Sequence, residues 1–257
     1  MAKISVCAEI FFPERPFLDR LAKLAEMGFR EVEFWDWQGK DIEAIVAAQG
    51  RLGLKVVAFG TGCPSLVDPA QRRAAIETLR GALNVAERLG CRTLIILSGN
   101  HRPTVPTATQ RQSLVDGLRA VAPLAEERGV TLALEPLNTV VDHVGYFLSS
   151  SREGFAILEE VGSPGVKLLY DCYHMQIMEG NLIATISQHI GEIAHFHVAD
   201  VPGRHEPGTG ELNYANIVRC IDELDYAGYV GLEYVPTLRS DYSIPVTIAR
   251  LHPTRAV

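Results

Sequence analysis

The sequence predicts a (β/α)₈ barrel, and three observations support that fold class. Amphipathic helical segments alternate with β-rich runs along the whole chain. These runs are short and apolar on both faces, as strands are when helices cover them outside and a packed core fills the inside. The length of 257 residues suits one barrel of this kind. We therefore predict a single domain spanning residues 1–257.

Each repeat has the same order, a helical segment, a glycine and then a β-rich run. Glycine suits the end of a helix because it adopts the left-handed conformation without a Cβ clash. The predicted strands are 4–9, 31–35, 54–59, 93–97, 130–135, 166–171, 193–198 and 230–234. The predicted helices are 22–27, 42–52, 75–89, 114–128, 155–161, 182–190 and 217–226, with an eighth after Arg239.

The order of these elements restricts the topology. Strict alternation of strand and helix implies parallel strands joined by right-handed helical crossovers. Eight such units favour a closed barrel, while an open doubly wound sheet stays as an alternative because periodicity does not show closure. No G-x-G-x-x-G follows a predicted strand, so the sequence lacks the dinucleotide-binding fingerprint.

Composition and charge indicate which partners to expect. Hydrophobic residues make up 47% of the chain and charged residues 21%, typical of a soluble globular protein. The net charge of −7 lacks the basic surface that nucleic acids require, and no apolar run is long enough to span a membrane. We therefore expect no nucleic-acid and no membrane partner. The sequence leaves open whether the protein forms a homo-oligomer.

Five cysteines indicate the compartment. They lie far apart, form no Cys-x-x-Cys motif and are odd in number, which favours reduced thiols over a disulfide framework. The first residues also lack the basic and apolar regions of a signal peptide. We therefore predict a cytoplasmic protein.

Four predicted strands end on a side chain that can bind a metal, namely Glu135, Asp171, His197 and Glu233. In a barrel the carboxyl ends of the strands meet at one face, where active sites form. Carboxylates crowded together there require a proton or a cation. Carboxylate and imidazole ligands together suit Mg²⁺, Mn²⁺, Co²⁺ or Zn²⁺. The pattern therefore predicts a divalent metal site.

Each ligand taken alone also has a structural interpretation. Glu135 precedes Pro136 and a polar loop, so it could be a solvated acid at a strand end. Asp171 could cap a following helix. His195 and His197 share one strand face, so one of them could be a core histidine beside the site. The recurrence at four strand ends favours the shared site.

A long loop follows the seventh predicted strand and carries Arg204, His205 and Glu206. Its glycines and prolines indicate a shaped loop, and these three residues are predicted to bind substrate next to the metal. Arg204 could hold a carboxylate or a polarised oxygen through two hydrogen bonds. The alternative is a surface loop with an ion pair.

The chain contains four motifs around these strand ends and loops: Leu134-Glu-Pro-Leu-Asn138, Tyr170-Asp-Cys-Tyr-His-Met-Gln176, Val201-Pro-Gly-Arg-His-Glu-Pro207 and Gly228-Tyr-Val-Gly-Leu-Glu-Tyr234. Together they resemble the hydroxypyruvate isomerase family of the xylose isomerase-like TIM barrels. The resemblance implies a divalent metal held by Glu135, Asp171, His197 and Glu233. It also implies that Glu135 and Glu233 act as catalytic acid and base, that His174 faces the substrate oxygens, and that Arg204 lies near the substrate.

The resemblance implies isomerisation, through an enediolate, of hydroxypyruvate or a related small hydroxy-carbonyl or sugar substrate. The alternative is a ketose 3-epimerase on the same metal site. The histidine at position 197 resembles the epimerases in this respect, because some of the isomerases have a glutamine there. Those epimerases usually carry a further acid shortly after the first glutamate, where this chain has Val140, Val141 and Asp142, and this favours the isomerase. Metal-dependent cleavage of damaged DNA, as in endonuclease IV, and a non-enzymatic binding protein on the same fold are further alternatives.

Overall fold

The eight predicted strands close into a parallel barrel in the computed structural model, which describes residues 1–252. Each strand pairs with the next in the chain, and β8 pairs with β1, so the predicted (β/α)₈ fold is confirmed. The strands are Lys3–Cys7 (β1), Glu31–Phe34 (β2), Lys55–Gly60 (β3), Thr93–Leu97 (β4), Thr131–Glu135 (β5), Val166–Asp171 (β6), Ile193–Val198 (β7) and Tyr229–Leu232 (β8).

Helices cover the outside of this barrel and bury its outer apolar face. Over residues 1–252 they are Phe17–Glu26 (α1), Ile42–Leu52 (α2), Arg72–Leu89 (α3), Thr107–Glu127 (α4), Ser151–Val161 (α5), Cys172–Met178 (α6), Leu182–His189 (α7), Tyr214–Glu223 (α8) and Ser240–Leu251 (α9). In that part of the chain, none of them has the length and apolar character needed to cross a membrane.

The structure differs from the predicted elements in two informative places. Helix α1 begins at Phe17, five residues before the predicted start, because Pro16 supplies the extended conformation from which a helix departs. Helix α6 is not among the predicted helices, although a helix capped by Asp171 was the structural interpretation of that residue. It begins directly after β6 because the Asp171 side chain accepts hydrogen bonds from the first free N–H groups of the helix.

The predicted role of glycine at helix ends holds for some positions only. Gly53 follows α2 with φ 66°, the left-handed conformation expected there. Gly191 instead lies inside a short 3₁₀ turn, Ile190–Glu192, that links α7 to β7. The sequence pattern therefore locates the end of α7 correctly but not the way in which the chain leaves it.

The interior of the barrel has two chemically different halves. The apolar half consists of Ala58, Ile95, Ala133 and Leu169, one residue from each of β3 to β6. The polar half consists of Ser5, Glu33 and His195, from β1, β2 and β7, and each of these is at most 1% exposed. Gly231 of β8 lies in register between His197 and Ser5 on this polar side. Of the strands that carry predicted ligands, β7 therefore contributes to the polar half, while β5 and β6 contribute to the apolar half.

Candidate active site

The four predicted metal ligands come together at the carboxyl-terminal face of the barrel. Glu135 and Asp171 end β5 and β6, His197 is the penultimate residue of β7, and Glu233 follows β8. All four are buried, and one potential ligand atom from each lies within 4.8 Å of the others. We call these residues the cluster.

The cluster contains polar atoms that the protein itself does not satisfy. His197 Nδ1 lies 3.6 Å from Glu135 Oε1 and 3.5 Å from Glu233 Oε2, beyond good hydrogen-bond length. Among residues 1–252 this nitrogen has no hydrogen-bond partner. A buried polar atom without a partner is costly unless a ligand or ion completes it. Three carboxylates and an imidazole fit a divalent cation in number and in chemistry.

Asp171 caps α6 and also belongs to the cluster, so its geometry is compatible with both interpretations of this residue. Its Oδ1 accepts hydrogen bonds from the backbone N–H groups of Tyr173, at 2.7 Å, and His174, at 3.2 Å. Its other oxygen, Oδ2, accepts no hydrogen bond from the helix and lies 3.6 Å from His174 Nε2. One oxygen therefore caps α6, and the other is left for the cluster.

Burial and neighbouring charges shift the pKa values in the cluster. Burial raises the pKa of Glu135 to about 7; the charges of Glu233 and Asp171 add to the shift, and His197 opposes it. Burial alone would lower the pKa of His197. The negative charges of Glu233 and Glu33 outweigh this effect and raise that pKa well above its ordinary value. Without a cation, protons therefore balance part of the negative charge.

Glu233 differs from Glu135 because donors occupy both of its oxygens. Trp35 donates from Nε1 to Glu233 Oε1 at 2.6 Å, and Arg204 forms an ion pair with Oε2. Trp35 follows β2, and the sequence analysis missed it because nothing in the sequence shows that two distant strand ends touch. Gly60 allows the contact, since a Cβ there would lie 1.7 Å from the Trp35 carbonyl oxygen.

Arg204 reaches the cluster from the loop after β7, as predicted. Its backbone is left-handed, with φ 57°, a conformation uncommon for a residue with a side chain. Val235 donates its backbone N–H to the Arg204 carbonyl at 2.7 Å, and the guanidinium lies 5.5 Å from the centre of the Tyr173 ring. These contacts fix the loop so that the guanidinium faces the cluster.

His174 is fully buried beside the cluster and its tautomer follows from its partners. The backbone N–H of Asn138 points to Nδ1 at 3.3 Å, and the Asn138 side-chain nitrogen lies 2.7 Å from the same atom. Burial lowers the pKa of His174 to about 4, with Asp171 opposing and Arg204 adding to the shift, so the ring is neutral at neutral pH. A neutral ring that accepts at Nδ1 carries its proton on Nε2, which has no partner among residues 1–252.

His205 and Glu206 were predicted to bind substrate, but their side chains contact the protein. His205 Nδ1 lies 2.8 Å from the Val235 carbonyl oxygen. The fully buried Glu206 carboxylate accepts hydrogen bonds from the backbone N–H groups of Thr237 and Leu238 and from the Ser243 hydroxyl. Neither residue lines the cavity at the cluster. The predicted substrate contact therefore has no support in this geometry.

A cavity of about 350 Å³ opens onto the cluster. Its polar lining residues include Glu135, His143, His174, His197, Arg204 and Glu233. Its largely apolar lining residues, which we call the apolar wall, include Trp35, Ile95, Leu97 and Leu137. The volume lies at the lower end of the range for ligand sites in proteins, which suits a small molecule.

Comparison with known proteins identifies what this arrangement resembles. The family model described as xylose isomerase-like TIM barrel matches residues 21–245. The chain is 34% identical to 2-oxo-tetronate isomerase of Cupriavidus necator and 33% identical to hydroxypyruvate isomerase of Escherichia coli, in each case over 92% of this chain and 94% of the relative. A crystal structure of an AP endonuclease, family 2, from Brucella melitensis superposes with a TM-score of 0.90 and 30% identity, over 96% of this chain and 98% of that one.

Proposed function

Because the chain belongs to the hydroxypyruvate isomerase family of the xylose isomerase-like TIM barrels, we propose that it is a metal-dependent isomerase of hydroxypyruvate or a related small hydroxy-carbonyl compound. One observation carries the proposal. Two buried glutamates, Glu135 and Glu233, flank His197 Nδ1 where the small cavity meets the cluster. The names of the curated relatives support the same class of reaction.

In this proposal Glu135, Asp171, His197 and Glu233 hold the divalent ion. Mg²⁺, Mn²⁺, Co²⁺ and Zn²⁺ all accept such a set of ligands. When bound, the cation supplies Lewis-acid stabilisation of negative charge on neighbouring oxygens of an enediolate. The unpartnered buried nitrogen of His197 is the observation that supports this assignment.

The protein side chains then perform the proton transfers. One glutamate removes the proton from the carbon next to the carbonyl, and the other returns a proton at the adjacent carbon or oxygen. His174 lines the cavity, and its Nε2–H group, which has no partner among residues 1–252, would donate to a substrate oxygen that gains negative charge. The apolar wall with Ile95, Leu97 and Leu137 limits the water that reaches the reacting atoms.

Arg204 sets the charge that the substrate can bring. Among the described residues that line the cavity, it is the one side chain with a permanent positive charge. Its guanidinium is already paired with Glu233. A substrate carboxylate would share this guanidinium with Glu233 and would position the substrate through it.

The second candidate is a ketose 3-epimerase that uses the same four residues. The presence of His197 in the cluster favours it, because a histidine at this position is similar to the epimerases. The metal-loaded enzyme is incubated in deuterated water with hydroxypyruvate and, separately, with free ketoses. We expect tartronate semialdehyde that carries deuterium at C2. Exchange at C3 of a ketose, with no change in hydroxypyruvate, would establish the epimerase instead.

The relative from Brucella melitensis raises the question of abasic DNA as a substrate. The net charge of −7 disfavours a DNA partner, because DNA binding depends on clustered lysine and arginine. We therefore expect no salt-dependent binding to abasic DNA. Tight binding that weakens steeply as salt rises would contradict the isomerase proposal.

A further inference from the structure

We infer that Glu33 is a positioning residue that orients His197 for the metal, an inference that rests on the proposed metal site. Glu33 belongs to β2 and is 1% exposed. It is not one of the four proposed ligands, and it lies across the barrel interior from β7, which carries His197. Its carboxylate forms a second buried group with His195 and His197.

The two oxygens of Glu33 have different partners. Ser5 donates its hydroxyl to Oε2 at 2.8 Å, and His195 Nε2 lies 2.7 Å from the same oxygen. Oε1 lies 2.9 Å from His197 Nε2. Within residues 1–252 both Oε1 and that nitrogen lack a hydrogen-bond partner, so the two atoms are close but not aligned as donor and acceptor. The remaining oxygen of Glu33 is therefore the acceptor available to His197.

This close approach favours one tautomer of the neutral His197 ring that would bind a metal. A proton on Nε2, next to Glu33, would leave the lone pair on Nδ1, which lies 3.6 Å from Glu135 and 3.5 Å from Glu233. A metal-binding histidine commonly donates its other ring N–H to a carboxylate, which fixes the ring and increases its basicity as a ligand. Ser5 and His195 hold Glu33 in place for this role.

Gly231 provides an independent observation for the same arrangement. It sits in β8 between His197 and Ser5 in the strand register. A Cβ at this position would lie 2.5 and 2.8 Å from the two Glu33 oxygens and 2.8 Å from His197 Cδ2. Because those atoms are buried, they could not move away without breaking the contact. The glycine thus leaves the space in which the carboxylate meets the imidazole.

The test measures metal binding directly. Metal-free protein is titrated with Co²⁺, followed by visible absorption, for wild type, Glu33→Gln and the control Asp68→Asn. Asp68 is also buried, but its carboxylate accepts from Ala70 and Gln71, away from the cluster. We expect Glu33→Gln to raise the Kd for Co²⁺ roughly 10- to 100-fold and Asp68→Asn to leave it unchanged. Equal Kd values for wild type and folded Glu33→Gln would overturn the inference.

A second measurement avoids dependence on one variant. In Zn²⁺-loaded wild type labelled with ¹⁵N-histidine, we expect NMR to show His197 protonated at Nε2, and a proton at Nδ1 would refute the inference. Gly231→Ala should weaken Co²⁺ binding in the same direction as Glu33→Gln, and unaltered affinity would count against it. If wild type binds no Co²⁺ at all, the proposed metal site itself fails, which is a different outcome from equal affinities.

Discussion

Buried carboxylates occur in two settings in this barrel, and they differ in how fully the protein satisfies them. Glu206 accepts hydrogen bonds from two backbone N–H groups and from side-chain hydroxyls, so both of its oxygens have donors. Glu135 faces a histidine at 3.6 Å and two further carboxylates. The arrangement around Glu206 stabilises the fold, and the arrangement around Glu135 is typical of a ligand-binding site.

The pKa values show the same difference. Burial alone would raise the pKa of Glu206, but hydrogen bonds from Ser243 and from backbone N–H groups lower it below its ordinary value. The pKa of Glu135 is raised to about 7 by burial. An acid at the end of a strand or in a charged loop thus acquires its role from the donors that the fold brings to it.

The largest expected effect comes from the glutamates of the cluster. Glu135→Gln or Glu233→Gln, assayed at saturating metal, should each lower turnover of hydroxypyruvate by roughly 10²- to 10⁴-fold, because each removes a proton-transfer group. The thermal unfolding midpoint of the metal-free protein should not fall for Glu135→Gln, since this change removes a crowded negative charge. It should fall for Glu233→Gln, because that change leaves the largely buried Arg204 without its ion-pair partner. Turnover retained in both variants would refute the acid and base roles.

Metal affinity should depend on pH to a smaller extent. Because the pKa of Glu135 is about 7 without metal, this carboxyl is largely protonated at pH 6 and largely ionised at pH 8. A cation must displace that proton as well as the proton that the raised pKa keeps on His197, so the Kd for Co²⁺ should be at least about tenfold lower at pH 8 than at pH 6. Calorimetry in buffers of different ionisation enthalpy should record proton release. Glu135→Gln should show a weaker dependence on pH, and an equal dependence in wild type and variant would assign the proton elsewhere.

Glu206→Gln tests the other side of the comparison. The amide keeps one acceptor but places an N–H₂ group against backbone donors, so the free energy of unfolding should fall by about 1–3 kcal/mol. Urea unfolding measures this loss. Turnover per folded molecule should stay close to wild type. A higher KM with unchanged stability would instead support the predicted contact between Glu206 and substrate.

The smallest expected effect concerns Trp35, which donates to Glu233 Oε1. Trp35→Phe keeps an aromatic ring at the cavity and removes the N–H group that orients Glu233. Loss of this hydrogen bond should raise the activation free energy by about 1 kcal/mol and so lower kcat about fivefold. The KM should change less than kcat. An increase in KM alone would mean that Trp35 acts only as part of the substrate wall.

The fold and the four proposed ligands could be predicted because each leaves a local pattern. Glu135 ends an apolar run before a proline, and Asp171 ends another, so each signal lies within a few residues of sequence. In a parallel barrel all strands end at one face, and local patterns therefore suffice to bring these residues together.

The remaining features depend on contacts between elements that are distant in sequence. Glu33 meets His197, and Trp35 meets Glu233, across the barrel or between loops. The charge of Glu206 was visible in the sequence, but the direction of its side chain was not, because its donors come from the segment after β8. Helix α6, by contrast, left a local signal, the capping Asp171, and a helix cap was one of the two interpretations of this residue.

The pairing of β8 with β1 also determines when this protein can become active during its synthesis. Chains generally begin to fold from the amino terminus while the ribosome still adds residues. Strand β1 must wait for β8, its partner at the far end of the chain, and Glu233 follows that last strand. A nascent chain that already has seven strands therefore has an open edge and an incomplete ligand set. Closure of the barrel and completion of the proposed metal site therefore both depend on β8. A partly synthesised chain cannot bind metal with the full set of ligands.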